Sequence, residues 1–177
     1  AMAQRQDDGE KTMKPVLLVI DVQNFVLDLF PGYSDSVKEH SKTMNDAIAL
    51  FRRKGLPLVV VYHEDKEQGP RPGTRAFAFH ESIDVRDSDP KVVKNYPNAF
   101  NKTPLTDMLK DLGCDTVFIV GLSAVGCAMA TYHGAIDLDL EPYFVQGGVA
   151  ADTEEHVRMA EEICRTISLA DLEKRLA

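Results

Sequence analysis

The chain has 177 residues, enough for one domain with a full core and too few for two ordinary ones. Its 44% apolar and 27% charged content is that of a globular protein, and no apolar run reaches the ~18 residues that a membrane span needs. A net charge of −8 lacks the basic excess of a nucleic-acid binder.

Cys114, Cys127 and Cys164 are odd in number and unrelated in spacing, with no CxxC pair. That argues against a zinc site or a disulfide framework and fits a reducing, cytoplasmic setting. Residues 1–13 are polar and lack an apolar signal-peptide core, so they read as a flexible tail, with Ala1 before Met2 resembling a cloning scar. Residues 14–177 are expected to form a single domain.

Pro15-Val16-Leu17-Leu18-Val19-Ile20-Asp21 is the first strand. Its apolar run is continuous, so both faces should be buried, as in a central parallel strand. It ends on Asp21, with no immediate helix for that carboxylate to cap, which favours a site role. Gln23, Asn24 and Phe25 follow as candidate pocket residues; Gln23 and Asn24 could orient a substrate or simply bond loop backbone. Residues 34–54 carry helical spacing and end at Gly55, a good residue for terminating a helix. Residues 56–62 form the second buried strand. Residues 63–89 read as a long irregular loop that sets specificity; Phe77, Phe79 and His80 could line a pocket, pack the loop down or meet another copy. His63 and His80 are the histidines with a place near a pocket.

Lys91-Val92-Val93-Lys94 is a short strand, followed by a loop holding Tyr96 and Phe100, two further pocket candidates. Thr103 should cap the next helix with Pro104 in its first turn. Val117-Phe118-Ile119-Val120-Gly121 is a buried strand, and a small-residue loop then leads to Cys127 at the first turn of a helix. Residues 142–146 are the next strand, and Gly147-Gly148 a tight loop that is not GxGxxG, so no nucleotide cofactor is implied. Asp152 or Thr153 caps a helix to about residue 166, and a last short strand and helix close the chain. This alternation predicts an α/β fold: a doubly wound, Rossmann-like sheet of about six mostly parallel strands with helices on both faces.

Asp21, Lys94 and Cys127 each lie at or just past the carboxyl end of a predicted strand. In a parallel sheet those ends share one edge, so the three can converge. A thiol must lose its proton to attack a carbonyl carbon, a carboxylate can take it, and a lysine can hold the carboxylate charged. A helix N-terminus at Cys127 favours thiolate over thiol. The competing reading of Cys127 alone is a buried structural cysteine.

Three stretches resemble the isochorismatase-like cysteine hydrolases, a family that includes nicotinamidases, N-carbamoylsarcosine amidases and ureidoacrylate amidohydrolases. They are Leu18-Val19-Ile20-Asp21-Val22-Gln23-Asn24, then Lys94 with Asn98-Ala99-Phe100 and Thr103-Pro104-Leu105, then Gly121-Leu122-Ser123 with Cys127, Thr131 and Ala135. The resemblance implies Cys127 as nucleophile, Asp21 as general base and then acid, and Lys94 as their electrostatic partner. It also implies a cis Leu122–Ser123 bond that aims the N–H groups of Ser123 and Cys127 at an oxyanion. A small amide or carbamoyl substrate and a homo-oligomer, with no nucleic-acid or membrane partner, complete the expectation. Two departures stand out. Ala124-Val125 replaces the family's usual Thr and Asp or Asn, which leaves open a non-catalytic, oligomeric binding or scaffold protein. Tyr62-His63-Glu64-Asp65 lacks the Asp-x-His spacing of the metal-dependent nicotinamidases, so no metal is expected.

Overall fold

The computed structural model describes residues 12–177, so most of the expected tail lies outside the described residues; Met13, its last member, packs against the core. Six parallel strands form one sheet: β1 (Pro15–Ile20), β2 (Leu58–His63), β3 (Lys91–Lys94), β4 (Thr116–Leu122), β5 (Glu141–Ala150) and β6 (Thr166–Ile167), in the order β3-β2-β1-β4-β5-β6. β1 sits near the middle with all six residues buried, as its unbroken apolar run requires. Side chains alternate between two cores. Leu17 and Val19 pack with α2 (Pro31–Arg53) and α6 (Leu169–Arg175); Val16, Leu18 and Ile20 pack with α3 (Leu105–Asp111), α4 (Cys127–Asp137) and α5 (Glu154–Ile163).

The structure differs from the sequence reading in four places. A further helix, α1 (Asn24–Leu29), follows Gln23 directly. It is six residues long and has no side-chain cap, so the start signals used to find helices are missing. Gly147-Gly148 is not a loop: β5 runs through both glycines, with a register irregularity against β4 and Gly147 at φ 72°. Pro104, not Thr103, precedes α3, while the Thr103 hydroxyl accepts from the Leu105 N–H at 3.3 Å. Thr153 is the α5 cap, and Cys164 leaves the helix in extended conformation, so α5 ends at Ile163 rather than near residue 166.

Residues 64–90 hold no helix or strand. The segment lies along the chain after β1: the N–H groups of Asn24 and Phe25 donate to the Ala78 and Ala76 carbonyls, and His80 N–H donates to the Val22 carbonyl at 2.7 Å. Phe77 stacks on Tyr62 with centroids 4.9 Å apart and Phe79 meets it edge-on at 4.8 Å, so they pack the segment down.

Gly121 lies opposite Ile20 of β1. Its φ is +119°, and a Cβ there would lie 2.2 Å from the Ile20 carbonyl oxygen. Gly121→Ala is therefore expected to destabilise the fold by about 2–4 kcal/mol, read as a fall in the urea midpoint.

Candidate active site

Four side chains meet at the carboxyl edge, one from each of four adjacent positions in the sheet. Lys94 ends β3, His63 ends β2 opposite it in register, Asp21 follows β1, and Cys127 opens α4 after β4. Strand parity explains two of them. Val59 and Val61 face the α4 side, and His63 continues their row; Val92 faces the same way, and so does Lys94. Asp21 breaks the alternation. Its φ of 56° is left-handed, a sparsely populated region for a non-glycine residue.

Lys94 lies two strands from β1, so roughly 10 Å of sheet separates their backbones. Its long stem and Asp21 together bridge that gap. The Lys94 ammonium is fully buried. It offers three protons and has three partners: Asp21 Oδ2 at 2.8 Å, Cys127 Sγ at 3.3 Å and His63 Nδ1 at 3.2 Å. The second Asp21 oxygen, Oδ1, is buried and has no hydrogen-bond partner among the described residues.

Burial dominates the electrostatics. It raises the Asp21 carboxyl above its ordinary range, against the opposing pull of Lys94. It lowers the His63 imidazole, and the Lys94 charge lowers it further, so the ring is neutral. Nδ1 faces an ammonium and must accept, which places the ring proton on Nε2. Burial, then the Asp21 charge, pushes the Cys127 thiol up to about 11. This works against the thiolate that the helix start favours.

The Leu122–Ser123 bond is cis. Tyr33 donates its hydroxyl proton to Ser123 Oγ at 3.0 Å. The Cys127 N–H opens α4 and has no acceptor within its helix.

The other candidates are placed as follows. Gln23 is fully buried, and its amide is spent on backbone: Nε2 donates to the His63 and Phe77 carbonyls at 3.1 and 2.8 Å, and Oε1 accepts from His63 N–H at 2.7 Å. It clamps the end of β2 rather than lining a pocket. Asn24 likewise holds the Arg75 carbonyl at 2.9 Å. Phe25 stacks on the His63 ring, with centroids 6.4 Å apart. His80 is engaged with Ser82 through Nδ1 at 2.8 Å, and no contact brings it to the cluster. Tyr96 is exposed under the Lys102 ammonium, and Phe100 is buried in the core on the α4 side. Cys114 and Cys164 are free and take no part.

One group with metal-ligand potential occurs among the described residues, Glu39, His40 and Glu154. His40 is a clamp: Nδ1 donates to the Gly147 carbonyl at 2.9 Å while Nε2 meets Glu154 at 3.1 Å. A cavity of about 720 Å³, bordered by Arg52, Pro57, Leu58 and Pro90, lies at the amino ends of β2 and β3. That is the opposite end of the strands from the cluster, so chemistry rather than cavity size locates the candidate site.

Comparison with known proteins finds a family match and proteins of similar fold. The family model described as Isochorismatase domain matches residues 15–168. An uncharacterized isochorismatase family protein of Bacillus subtilis strain 168, YddQ, is 28% identical over 160 residues, covering 85% of this chain and 87% of that one. Nicotinamidase 3 of Arabidopsis thaliana is 26% identical over 154 residues, covering 78% and 74%. The crystal structure of N-carbamoylsarcosine amidase from Thermoplasma acidophilum has a similar fold, with a TM-score of 0.74 at 24% identity and coverage of 88% and 95%.

Two outcomes follow from the buried cluster. Lys94→Met leaves the Asp21 carboxylate without its cation and should cost about 3–5 kcal/mol at pH 7, a loss that shrinks as acid protonates Asp21. The folded Cys127 thiol titrates near 11 against an ordinary 9.0, so the folded state holds that proton more tightly. Its contribution is intact below about pH 9 and is lost as pH rises toward 11. Wild type should therefore lose roughly 3 kcal/mol more than Cys127→Ala between pH 8 and pH 11.5, measured by urea unfolding with reductant present.

Proposed function

The chain belongs to the isochorismatase family, a family of hydrolases, and on that premise we propose that it is a metal-independent cysteine hydrolase cleaving a C–N bond in a small amide or carbamoyl compound. The observation that carries this reading is the Lys94 bridge: one ammonium touches both the thiol and one carboxylate oxygen, while the other carboxylate oxygen, Asp21 Oδ1, is buried and unpartnered. Such an oxygen is a proton acceptor in waiting.

In the proposed reaction, Cys127 Sγ attacks the substrate carbonyl as its proton passes to Asp21. The raised Asp21 pKa makes that carboxylate a stronger base than an ordinary one and narrows its mismatch with the thiol. Lys94 stabilises the sulfur as negative charge develops on it, and the backbone N–H groups of Ser123 and Cys127 hold the oxyanion. Asp21 then returns the proton to the leaving nitrogen, the C–N bond breaks, and ammonia or an amine departs from a thioester. Water attacks the thioester, Asp21 takes its proton, and that proton restores the thiol as the acid leaves.

The amide class draws support from the relatives named nicotinamidase and N-carbamoylsarcosine amidase. A homo-oligomer fits the exposed apolar Ile136 at the end of α4, and a cytoplasmic setting fits three unpaired cysteines. The test is ammonia release from a panel of small amides, ureido acids and carbamoyl compounds. Cys127→Ala and Asp21→Asn should each lower turnover about 1,000-fold or more with the circular dichroism spectrum unchanged. An active Cys127→Ala protein would overturn the reading.

A further inference from the structure

We propose that His63 is a specificity residue of this site, whose Nε2–H binds an uncharged hydrogen-bond acceptor that the substrate carries beside the carbon under attack. The inference rests on the reading of Cys127 as nucleophile. Nδ1 is taken by the Lys94 ammonium, which fixes the ring proton on Nε2. Nε2 has no acceptor among the described residues, although the ring is half-buried. The ring is also held in place. Gln23 clamps the His63 backbone through both its N–H and its carbonyl, and Phe25 stacks along the ring. Lys94 touches both His63 Nδ1 and Cys127 Sγ, so the imidazole sits one ammonium away from the sulfur.

The acceptor class follows from charge. All three Lys94 protons are engaged, and Arg75, on the segment bonded to α1, is paired with Asp28. A neutral imidazole N–H then suits a carbonyl, ureido oxygen or ring nitrogen better than a carboxylate.

Cys127 alkylation tests this without requiring turnover. Iodoacetamide carries a neutral carbonyl group bonded to the attacked carbon; iodomethane carries none. Their rates at Cys127, followed by peptide mass spectrometry at one pH, give a selectivity ratio. His63→Asn keeps an acceptor where Nδ1 stood and removes the Nε2 donor, so the ratio should fall about fivefold. His63→Gln places an amide N–H near the Nε2 position and should restore it. An unchanged ratio in His63→Asn, or equal slowing of both reagents, means that His63 serves only Lys94 and overturns the proposal. Nitrogen NMR of the wild-type ring gives a second reading that needs no variant: a bare Nδ1 and protonated Nε2 are expected, and the opposite tautomer overturns it. Absent amide turnover alongside an intact His63 effect would remove the hydrolase reading alone, so the two failures are separable.

Discussion

Everything at the carboxyl edge depends on one buried ammonium. Taking the Lys94 charge out of water costs several kcal/mol unless it is paired and hydrogen-bonded. The fold meets that demand with one partner from each neighbouring position in the sheet: His63 beside it, Asp21 one strand further, Cys127 beyond. The demand runs backward into the chain. Asp21 adopts a left-handed φ at the end of β1, and Gln23 spends its whole amide on locking the end of β2. Arginine would not substitute well here. Its planar fork suits a bidentate carboxylate, whereas three partners in three directions suit a rotating ammonium on a flexible stem.

The same burial decides the protonation state. A helix N-terminus is worth about 0.3–1 kcal/mol to an anion, less than one pK unit. The Cys127 thiol instead moves up by about two, from 9.0 to about 11, because desolvation and the Asp21 charge both oppose a thiolate. Position at a helix start is thus the weaker effect. Burial and the Asp21 charge thus oppose charge on the Cys127 sulfur more strongly than the helix start favours it.

Much of this was legible in the chain. Buried strands announced themselves as unbroken β-branched runs, and the residue ending each run marked the site edge. The parity of Val59, Val61 and His63, read beside that of Val92 and Lys94, already carried the His63–Lys94 neighbourhood, though it needs the β2–β3 register to become a contact. What stayed hidden has physical reasons. α1 is short and uncapped, so it leans on tertiary contacts with Arg75, Ala76 and Ala78. Gly147-Gly148 has turn composition, yet strand pairing on both sides of an irregularity carries β5 through it. For Gln23 a substrate contact and a backbone bond stood side by side, because composition cannot say whether an amide faces solvent or backbone; the fold selects the backbone bond.

Ala124-Val125 shows how such a loop is held without side-chain hydrogen bonds. Ala124 is fully buried in the core on the α4 side, and its N–H donates to the Ala150 carbonyl at 2.7 Å, joining the loop to the end of β5. Val125 packs against the same core. The Gly126 and Ala128 N–H groups both turn back to the Ser123 carbonyl, at 2.9 and 3.1 Å, so the loop closes on its own backbone before α4 begins. The remaining side-chain tie runs from outside, Tyr33 on α2 to Ser123 Oγ. Apolar burial is non-directional, but backbone hydrogen bonds are not, and together they fix where the Cys127 sulfur stands relative to Lys94. A polar side chain at 124 would have to satisfy its donors and acceptors in a fully buried place. The apolar pair therefore belongs to this way of holding the loop.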